Sequence, residues 1–396
     1  MLKKSNELFA EVGYRSILHH GEQLCGDNVE MIDMVDKDGH KNKIIVLADG
    51  IGHGVKASIL SILTSKIIST LLAENIKLDV AVQTIADTLP YNETIHAAFS
   101  TFTIMVIKDN KYASLIQYEN PNAILIRDGV PTEYTMNTLQ VGGKTVLQSD
   151  IKLQENDIFI LMSDGVLYAS DNGVYDEDWD RDGVASYMET FFHIGFNAKT
   201  LTTILLDEVF KRYGGKPTDD ATVCTVCIRE RKNVNLCFGP PESYDDNQKM
   251  MALFFSKEGM HIVCGGTTAK IAANFLKKPV ITQQAQPDPE IPPMSTVEGI
   301  DIVSEGIVTM DKVLQYSNDF LDKNTDFENW SYRKDAASVI ARALFETATD
   351  VSLFVGRAAN PAHQHLKINF SVKMKIVDDL IENLKKMGKN VTVNYF

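Results

Sequence analysis

Four aspartates in this chain have the type and setting of ligands for a hard divalent cation: Asp27, Asp49, Asp164 and Asp219. Each one ends, adjoins or starts an apolar stretch, so all four could meet at one edge of a sheet. Carboxylates that are forced together repel one another and raise one another's pKa unless a divalent cation neutralises them. Ligation by oxygen alone suits Mg²⁺ or Mn²⁺ better than Zn²⁺. The four aspartates therefore predict a magnesium or manganese site.

Glycines beside these aspartates strengthen the prediction, most clearly in Asp49-Gly50-Ile51-Gly52-His53-Gly54. A glycine lets a metal or its water approach the backbone, and the Gly50 carbonyl can itself serve as a ligand. A single Asp-Gly after an apolar strand is a common turn that needs no function to explain it. The signal lies in the order and context of all four motifs. Asp220 adjoins a proposed ligand, and we interpret it as an outer partner of the metal site.

The elements that must position these residues indicate an α+β front domain. Apolar strands are predicted at 29–36 and 43–49 around the turn Asp38-Gly39, then at 100–108, 112–118, 123–127, 157–162 and 222–228. Helices are predicted at 55–73 and 78–88. Strands that follow one another in runs favour antiparallel sheets with helices outside. The charged segment Arg229–Asn233 marks a domain boundary, so we expect domains at 1–230 and 231–396.

The back domain alternates strands and helices, which predicts an α/β fold with a mainly parallel sheet. Strands are expected at 234–238, 261–264, 280–282, 300–303, 351–355 and 391–395. Helices are expected at 246–257, 267–278, 309–322, 334–348 and 372–387. A stiff, proline-rich loop with Pro287, Pro289, Pro292 and Pro293 interrupts the alternation.

Length and charge narrow the function classes. At 396 residues the chain exceeds what one hydrophobic core usually supports. The net charge is −14 and belongs mainly to residues 1–230, which opposes nucleic-acid binding. The absence of a secretory signal in the sequence leads us to expect a cytoplasmic protein. The most apolar segment, 57–72, is expected to be too short and polar to span a bilayer, so we predict a buried helix and no membrane association.

With all four motifs in this order, residues 9–229 resemble the metal-dependent PPM (type 2C) Ser/Thr protein phosphatases. The bacterial branch typified by the stage II sporulation protein E phosphatase is the most similar, and Leu153–Val166 matches that branch well. The resemblance implies two antiparallel sheets sandwiched between helices and a site with two Mn²⁺ or Mg²⁺ ions. Asp49 would bridge the ions, with Asp27 and the Gly50 carbonyl at one and Asp164 and Asp219 at the other. Water held between two such ions becomes a nucleophile that can attack a phosphoserine in line.

Two departures limit what carries over from the family. Eukaryotic members have a histidine two residues after the bridging aspartate, where this chain has Ile51, so His53 cannot be assumed to be the general acid. The arginine that holds substrate phosphate in those members is also missing before Asp27, although Arg15 is nearby. His19 and His20 precede Asp27 and are more often loop histidines than catalysts.

An acidic segment, Asp178-Trp179-Asp180-Arg181-Asp182-Gly183 with Glu189, matches the spacing of an EF-hand calcium loop. An EF-hand needs an entering helix, whereas Asn172–Tyr175 upstream reads as a turn. We favour a variable flap of the phosphatase family over a calcium site.

In the back domain, Gly265-Gly266-Thr267-Thr268 lies between a strand and a helix and could bind a small molecule or anion. The simpler interpretation is a tight turn. His363 and His365 form a weak metal pattern. Cys224 and Cys227 should face opposite sides of a strand. A four-cysteine metal site with Cys237 and Cys264, or redox chemistry of the last two, is the alternative to buried thiols.

The sequence thus predicts a metal-dependent phosphatase acting on phosphoserine or phosphothreonine of a bacterial regulatory protein. The family resemblance implies a substrate of the anti-sigma-factor-antagonist type, and we expect the back domain to control the activity. The alternative is a metal-containing module that binds a phosphoprotein or senses a ligand without catalysis.

Overall fold

The computed structural model describes residues 7–37, 39–77, 80, 81, 83, 84, 100–141, 144–170, 176–283, 288–322, 324, 327–358 and 370–396. The chain divides into two compact units, Met1–Glu230 and Arg231–Phe396. The helix predicted at 78–88 lies mostly outside the described residues, as do Asp38, Asn172–Tyr175, Pro287, His363 and His365.

The front unit contains two antiparallel sheets. Its strands are β1 Leu8–Ile17, β2 Asp27–Val35, β3 Lys41–Asp49, β4 Thr101–Lys108, β5 Tyr112–Tyr118, β6 Ile124–Arg127, β7 Val130–Pro131, β8 Asn137–Val141, β9 Lys144–Lys152, β10 Ile158–Met162 and β11 Ala221–Glu230. One sheet has the order β1-β11-β10-β6-β7 and the other β2-β3-β4-β5-β9-β8. Its helices are α1 Gly54–Ala73, α2 Arg181–Glu189 and α3 Ala198–Arg212.

Alternation along the strands builds a four-layer sandwich. On β3, Ile45 and Leu47 point into the core between the two sheets, where they pack with Phe159 and Leu161 of β10. The intervening residues of β3 pack with α1 on the outer face of their sheet. On the far side, α2 and α3 cover the outer face of β10 and β6. This is the predicted α+β architecture, with two antiparallel sheets between helices.

Helix α1, Gly54–Ala73, agrees within one residue with the helix predicted at 55–73. Contrary to the expectation for 57–72, its 20 residues are, by length and composition alone, long and apolar enough to cross a bilayer. In the front unit it packs on β2 and β3. The buried side chains of this helix are mostly small and polar: Ala57, Ser58, Ser61, Thr64, Ser65, Ile68 and Ser69. Small side chains let the helix backbone lie close to the sheet, and larger apolar residues such as Val55 and Ile59 are exposed.

Several elements of the front unit were not predicted. They are β1, the edge hairpin β8–β9, and the helices α2 and α3. Strand β1 pairs along its whole length with β11. Its charged residue Glu11 is 5% exposed and pairs with Arg229 at 2.8 Å. Because a charged residue is buried within it, β1 lacks the continuous apolar run from which the other strands were predicted.

The back unit has a mainly parallel sheet, as predicted. Its strands are β12 Asn233–Phe238, β13 Met260–Cys264, β14 Ile281–Thr282, β15 Ser295–Val297, β16 Ile300–Ser304, β17 Asp350–Val355 and β18 Asn390–Tyr395. The sheet order is β14-β15-β16-β13-β12-β17-β18. The pairs β14–β15 and β15–β16 are antiparallel, and the others are parallel.

Helices cover both faces of this sheet. They are α4 Asp246–Phe255, α5 Gly266–Leu276, α6 Ile307–Leu321, α7 Phe327–Ser331, α8 Ala336–Ala341 with a π-helical continuation at Arg342–Thr347, and α9 Phe370–Lys386. Leu236 of β12 packs on one face with α6, α8 and α9. Cys237 packs on the other face with α4 and α5. The order β16-β13-β12-β17-β18 reverses direction between β12 and β17, as in doubly wound folds.

The cysteines behave as buried hydrophobic residues. Cys224 lies in the core between the front sheets and Cys227 under the helices, which confirms that the pair faces opposite sides of β11. In the back unit, burial raises the pKa of Cys264 to about 12 and also raises that of Cys237. Within the described ranges, no cysteine joins two other metal-ligating side chains in one compact group. The geometry therefore gives no support to a four-cysteine site or to redox chemistry.

Candidate metal centre

The four predicted aspartates are brought to one end of the front sandwich by four strand ends. Asp27 begins β2 and Asp49 ends β3, and the two residues are direct partners in the antiparallel register. Asp164 follows the end of β10, and Asp219 precedes the start of β11. Each aspartate acts electrostatically on others of the group, and the side chains of Asp49 and Asp164 are within hydrogen-bonding contact. The sheet edge therefore gathers the carboxylates.

Asp27 is held by a serine from the other sheet. Its side chain is 6% exposed, and its Oδ2 accepts a hydrogen bond of 2.7 Å from the Ser163 hydroxyl. Ser163 Oγ in turn accepts the backbone N–H of Thr222 at 2.8 Å. Asp27 Oδ1 is buried and has no hydrogen-bond partner. A buried carboxylate oxygen without a partner is costly in a protein interior, and a cation removes that cost.

The crowding raises the pKa of three of the carboxyls. Burial, followed by the charges of Asp27, Asp164 and Asp219, raises the pKa of Asp49 to about 10. Burial raises the pKa of Asp27 to about 7, against the hydrogen bonds from Ser163 and Thr222. Burial and the charge of Asp164 raise the pKa of Asp219 to about 6. Such a cluster holds protons or a cation near neutral pH.

Asp220 is a stronger candidate for direct metal binding than the sequence indicated. It is 3% exposed, and its Oδ1 accepts the backbone N–H of His19 at 3.0 Å. Its Oδ2 is buried without a hydrogen-bond partner, like the free oxygen of Asp27. Asp219, by contrast, accepts the backbone N–H of Asp220 at 2.9 Å. Two neighbouring carboxylates, Asp219 and Asp220, are therefore both candidates to face a cation.

Gly50 is required by packing. A Cβ at this position would lie 2.0 Å from the carbonyl oxygen of Ala57 in the first turn of α1. The glycine thus lets the backbone after Asp49 pass directly against the helix, which places the Gly50 backbone close to Asp49. The Gly50 carbonyl stays a predicted ligand.

The donor set fits a hard divalent cation. Its side-chain donors are carboxylate oxygens, two of them buried without partners, and burial together with neighbouring carboxylates raises the pKa of Asp27 and Asp49. Mg²⁺ and Mn²⁺ prefer such oxygens. Within the described part of the chain, no three of these aspartates have ligand atoms that all lie within 4.8 Å of one another. One other group of side chains there does meet this condition. Like charges keep such a spacing until a cation draws them together.

Arg15 and His53, the two other residues considered near the site, both pair with a carboxylate outside the aspartate group. Arg15 pairs with Asp207 at 2.9 Å. His53 Nδ1 lies 2.8 Å from Glu22 Oε1, and its ring stacks on that of His19.

The acidic segment that matched a calcium loop is a capped helix. Helix α2 begins at Arg181, and the Asp180 side chain accepts the backbone N–H groups of Asp182 and Gly183. Trp179 is buried and donates its indole N–H to the Val166 carbonyl at 2.9 Å. Because the second half of the pattern is helical, its acidic residues cannot wrap around one ion as an EF-hand loop does. The calcium alternative is wrong, for this physical reason.

In the back unit, Gly265 begins α5 with φ +113, a conformation that favours glycine and explains the tight turn. Two threonine hydroxyls near this turn, of Thr268 and Thr309, are buried without hydrogen-bond partners. They stand in the first turns of α5 and α6. The Gly265 N–H donates to the Ser304 carbonyl at 2.9 Å, which joins the two strand ends.

Residues 39–229 match the family model of stage II sporulation protein E (SpoIIE). None of the curated protein sequences matches this chain.

Several solved structures are similar to part of this chain. The PP2C phosphatase domain of SpoIIE from Bacillus subtilis, with a fragment of its regulatory domain, is 20% identical with a TM-score of 0.47, over 57% of this chain and 64% of that one. This chain thus spans 64% of that relative's length. The RsbU and RsbW domains of a Mycobacterium tuberculosis protein are 13% identical with a TM-score of 0.49, over 62% and 68%. RsbX in complex with magnesium is 17% identical with a TM-score of 0.38, over 55% and 95%.

Proposed function

We propose that the front domain, whose residues 39–229 match the family model of stage II sporulation protein E, is a PPM-type phosphatase that hydrolyses phosphoserine or phosphothreonine on a protein substrate with two Mn²⁺ or Mg²⁺ ions. The single observation that carries the proposal is the convergence of Asp27, Asp49, Asp164 and Asp219 at one sheet edge. Asp49, Asp164 and Asp219 lie inside the part of the chain that matches the family model.

The chain's own residues have distinct tasks in this proposal. Asp49 is the central carboxylate, with Asp27 and the Gly50 carbonyl on one side and Asp164 and Asp219 on the other. When bound there, the ions would neutralise the charge of the phosphate and lower the pKa of a bound water to near neutral. Ser163 fixes the direction of Asp27 by its hydrogen bond. No residue of the described chain is assigned as the proton donor to the leaving group.

The proposed substrate is a phosphorylated regulatory protein of the anti-sigma-factor-antagonist type, in the bacterial cytoplasm. This rests on the family resemblance of the front domain. The acidic charge of the chain, −14, disfavours nucleic acid as a partner and supports a protein substrate.

We further propose that the back domain, residues 231–396, binds a small ligand and controls the phosphatase. Support comes from the hydroxyls of Thr268 and Thr309, which are buried without partners at two helix starts where backbone N–H groups favour an anion. A Cβ on Gly266 would lie 3.3 Å from a Glu305 carboxylate oxygen. That carboxylate disfavours a bare phosphate and favours a ligand with both an anionic group and a hydroxyl or amino group.

The test of catalysis is phosphate release from a phosphoserine peptide with and without Mn²⁺. The variants Asp49→Asn and Asp219→Asn should lose the release, whereas Asp150→Asn, an exposed aspartate of β9, should keep it. Intact metal binding without release in the wild type would support the alternative of a non-catalytic phosphoprotein-binding or ligand-sensing module.

The test of ligand control is the melting temperature of the full chain against a panel of nucleotides and inorganic phosphate. A ligand that raises the melting temperature of the wild type but not of Thr268→Val, and changes phosphate release, would support the proposal. A panel without any shift would count against ligand sensing by this loop.

A further inference from the structure

A second cluster of metal-ligating side chains lies outside the proposed two-ion centre. Single ligand atoms of His19, Glu22 and His53 all lie within 4.8 Å of one another. In the described part of the chain this is the one group of three or more His, Cys, Asp or Glu residues that comes so close. None of the three residues belongs to the aspartate centre.

The chemistry of this cluster differs from that of the aspartates. Two imidazoles and one carboxylate form the donor set that proteins use for Zn²⁺ and related transition ions, whereas Mg²⁺ prefers oxygen alone. Tetrahedral zinc with bonds of about 2.0–2.1 Å separates its ligand atoms by about 3.4 Å. Side-chain rotation would have to bring the more distant ligand atoms closer by about 1.4 Å at most and to separate His53 Nδ1 from Glu22 Oε1, which lie 2.8 Å apart.

His19 supplies an independent sign that a partner is missing from the chain's own atoms. Its Nδ1 is buried and has no hydrogen-bond partner. Buried polar atoms without partners are rare and costly, and a metal ion satisfies an imidazole nitrogen. The rings of His19 and His53 are stacked with centroids 4.4 Å apart and an interplanar angle of 13°. An imidazole nitrogen binds a metal along its ring plane, so both rings can share one ion only after side-chain rotation has opened this stack.

The backbone around the cluster fits it closely. Glu22 donates its N–H to the His19 carbonyl at 3.0 Å, which closes the turn that carries both residues. The neighbouring N–H of His20 donates to the Pro217 carbonyl at 2.7 Å. A Cβ on Gly54, which has φ +71, would lie 2.8 Å from Glu22 Oε2. The positive φ favours glycine at this position, and the missing side chain leaves room for the Glu22 carboxylate beside His53.

We propose that His19, Glu22 and His53 form a separate site for a divalent transition-metal ion of the Zn²⁺ type. The ion would join the turn that precedes β2 to the loop between β3 and α1. This proposal concerns metal binding alone and stands whether or not the front domain is catalytic.

The experiment is isothermal titration calorimetry of the full chain with Zn²⁺. Saturating Mg²⁺ is present throughout and occupies the oxygen sites. We expect one equivalent of Zn²⁺ to bind. Loss of an outer partner of a metal ligand typically weakens binding by about 10–100-fold. Replacement of a ligand itself in His19→Gln, His53→Gln or Glu22→Gln should weaken binding by at least that much.

Two controls decide between sites. His20→Gln alters an exposed neighbour outside the cluster and should keep the Zn²⁺ equivalent. Asp49→Asn should also keep it. The proposal is overturned if the wild type binds no Zn²⁺ under saturating Mg²⁺, if all variants bind equally, or if only Asp49→Asn loses the ion. Circular dichroism in EDTA shows whether each variant is folded. In the folded variants, the ¹⁵N chemical shifts of the imidazole nitrogens, measured with and without Zn²⁺, provide a second readout of binding.

Discussion

Replacing the central carboxylate by an amide, Asp49→Asn, should stabilise the metal-free front domain while it removes the proposed activity. Burial and neighbouring carboxylates raise the pKa of Asp49 from 3.8 to about 10. The folded form thus keeps its proton at a pH where the unfolded chain has released it. The stability that the protonated group contributes is fully present below about pH 4 and declines as pH rises toward the folded-state pKa.

The size of the effect follows from the pH interval. Each pH unit within that window costs about 1.4 kcal/mol for one group. From pH 5 to pH 8 the upper bound for Asp49 is therefore about 4 kcal/mol, and we expect a loss of about 2–4 kcal/mol for the metal-free wild type. Asp49→Asn has no such proton to release and should lose less over the same interval. It should be more stable than the wild type at pH 8 in EDTA.

The assay is urea unfolding in EDTA at pH 5 and pH 8. The chain has two tryptophans, so a Trp330→Phe background leaves buried Trp179 as the reporter for the front domain. Asp150→Asn serves as the matched control and should follow the wild type. Mn²⁺ should restore the stability of the wild type at pH 8 but not that of Asp49→Asn. A metal-free wild type that is as stable at pH 8 as at pH 5 would refute the reasoning.

Three further perturbations test the support of the site and the packing of the front domain. Ser163→Ala removes the hydroxyl that donates to Asp27 and should weaken Mn²⁺ binding by about 10–100-fold, which calorimetry measures; unchanged affinity would show that the hydrogen bond does not position the carboxylate. Gly50→Ala places a Cβ against the first turn of α1 and should cost about 1–3 kcal/mol or more in urea unfolding; a stable, active variant would contradict the packing argument. Arg127→Met leaves fully buried Asp157 without its cation and should lower the free energy of unfolding by about 3–5 kcal/mol. If Asp157→Asn added to this variant restores none of the loss, an uncompensated charge is not its cause.

The sequence was sufficient for those elements whose apolar runs are bounded by turn residues. Strands β3, β4 and β10 and helix α1 are of this kind. The elements that were not predicted from the sequence lack such a pattern. Strand β1 contains Glu11, which is buried only because Arg229 lies beside it. Helix α2 was hidden by an acidic pattern in which Asp180 is an N-cap, a role that requires three-dimensional context to separate from metal ligation.

The cluster of His19, Glu22 and His53 illustrates the same limit for a site. Their sequence positions lie on either side of β2 and β3, and no spacing rule connects them. The contact between them depends on how the turn before β2 is tied to the chain before β11, through the Asp220 carboxylate and the Pro217 carbonyl. Long-range packing of this kind has no periodic signature in the sequence.

The aspartate centre itself divides into a part that sequence can position and a part that it cannot. The hairpin β2–β3 begins with the pair Val35 and Lys41, and the register of a hairpin follows from its loop. Asp27 and Asp49 each lie eight residues further along their strands and are therefore opposite each other. The contribution of the other sheet has no such local cause: the Ser163 hydroxyl reaches Asp27 only because an apolar core packs the two sheets face to face. The hairpin thus supplies half of the centre locally, and the sandwich core must form before Asp164 and Asp219 can complete it.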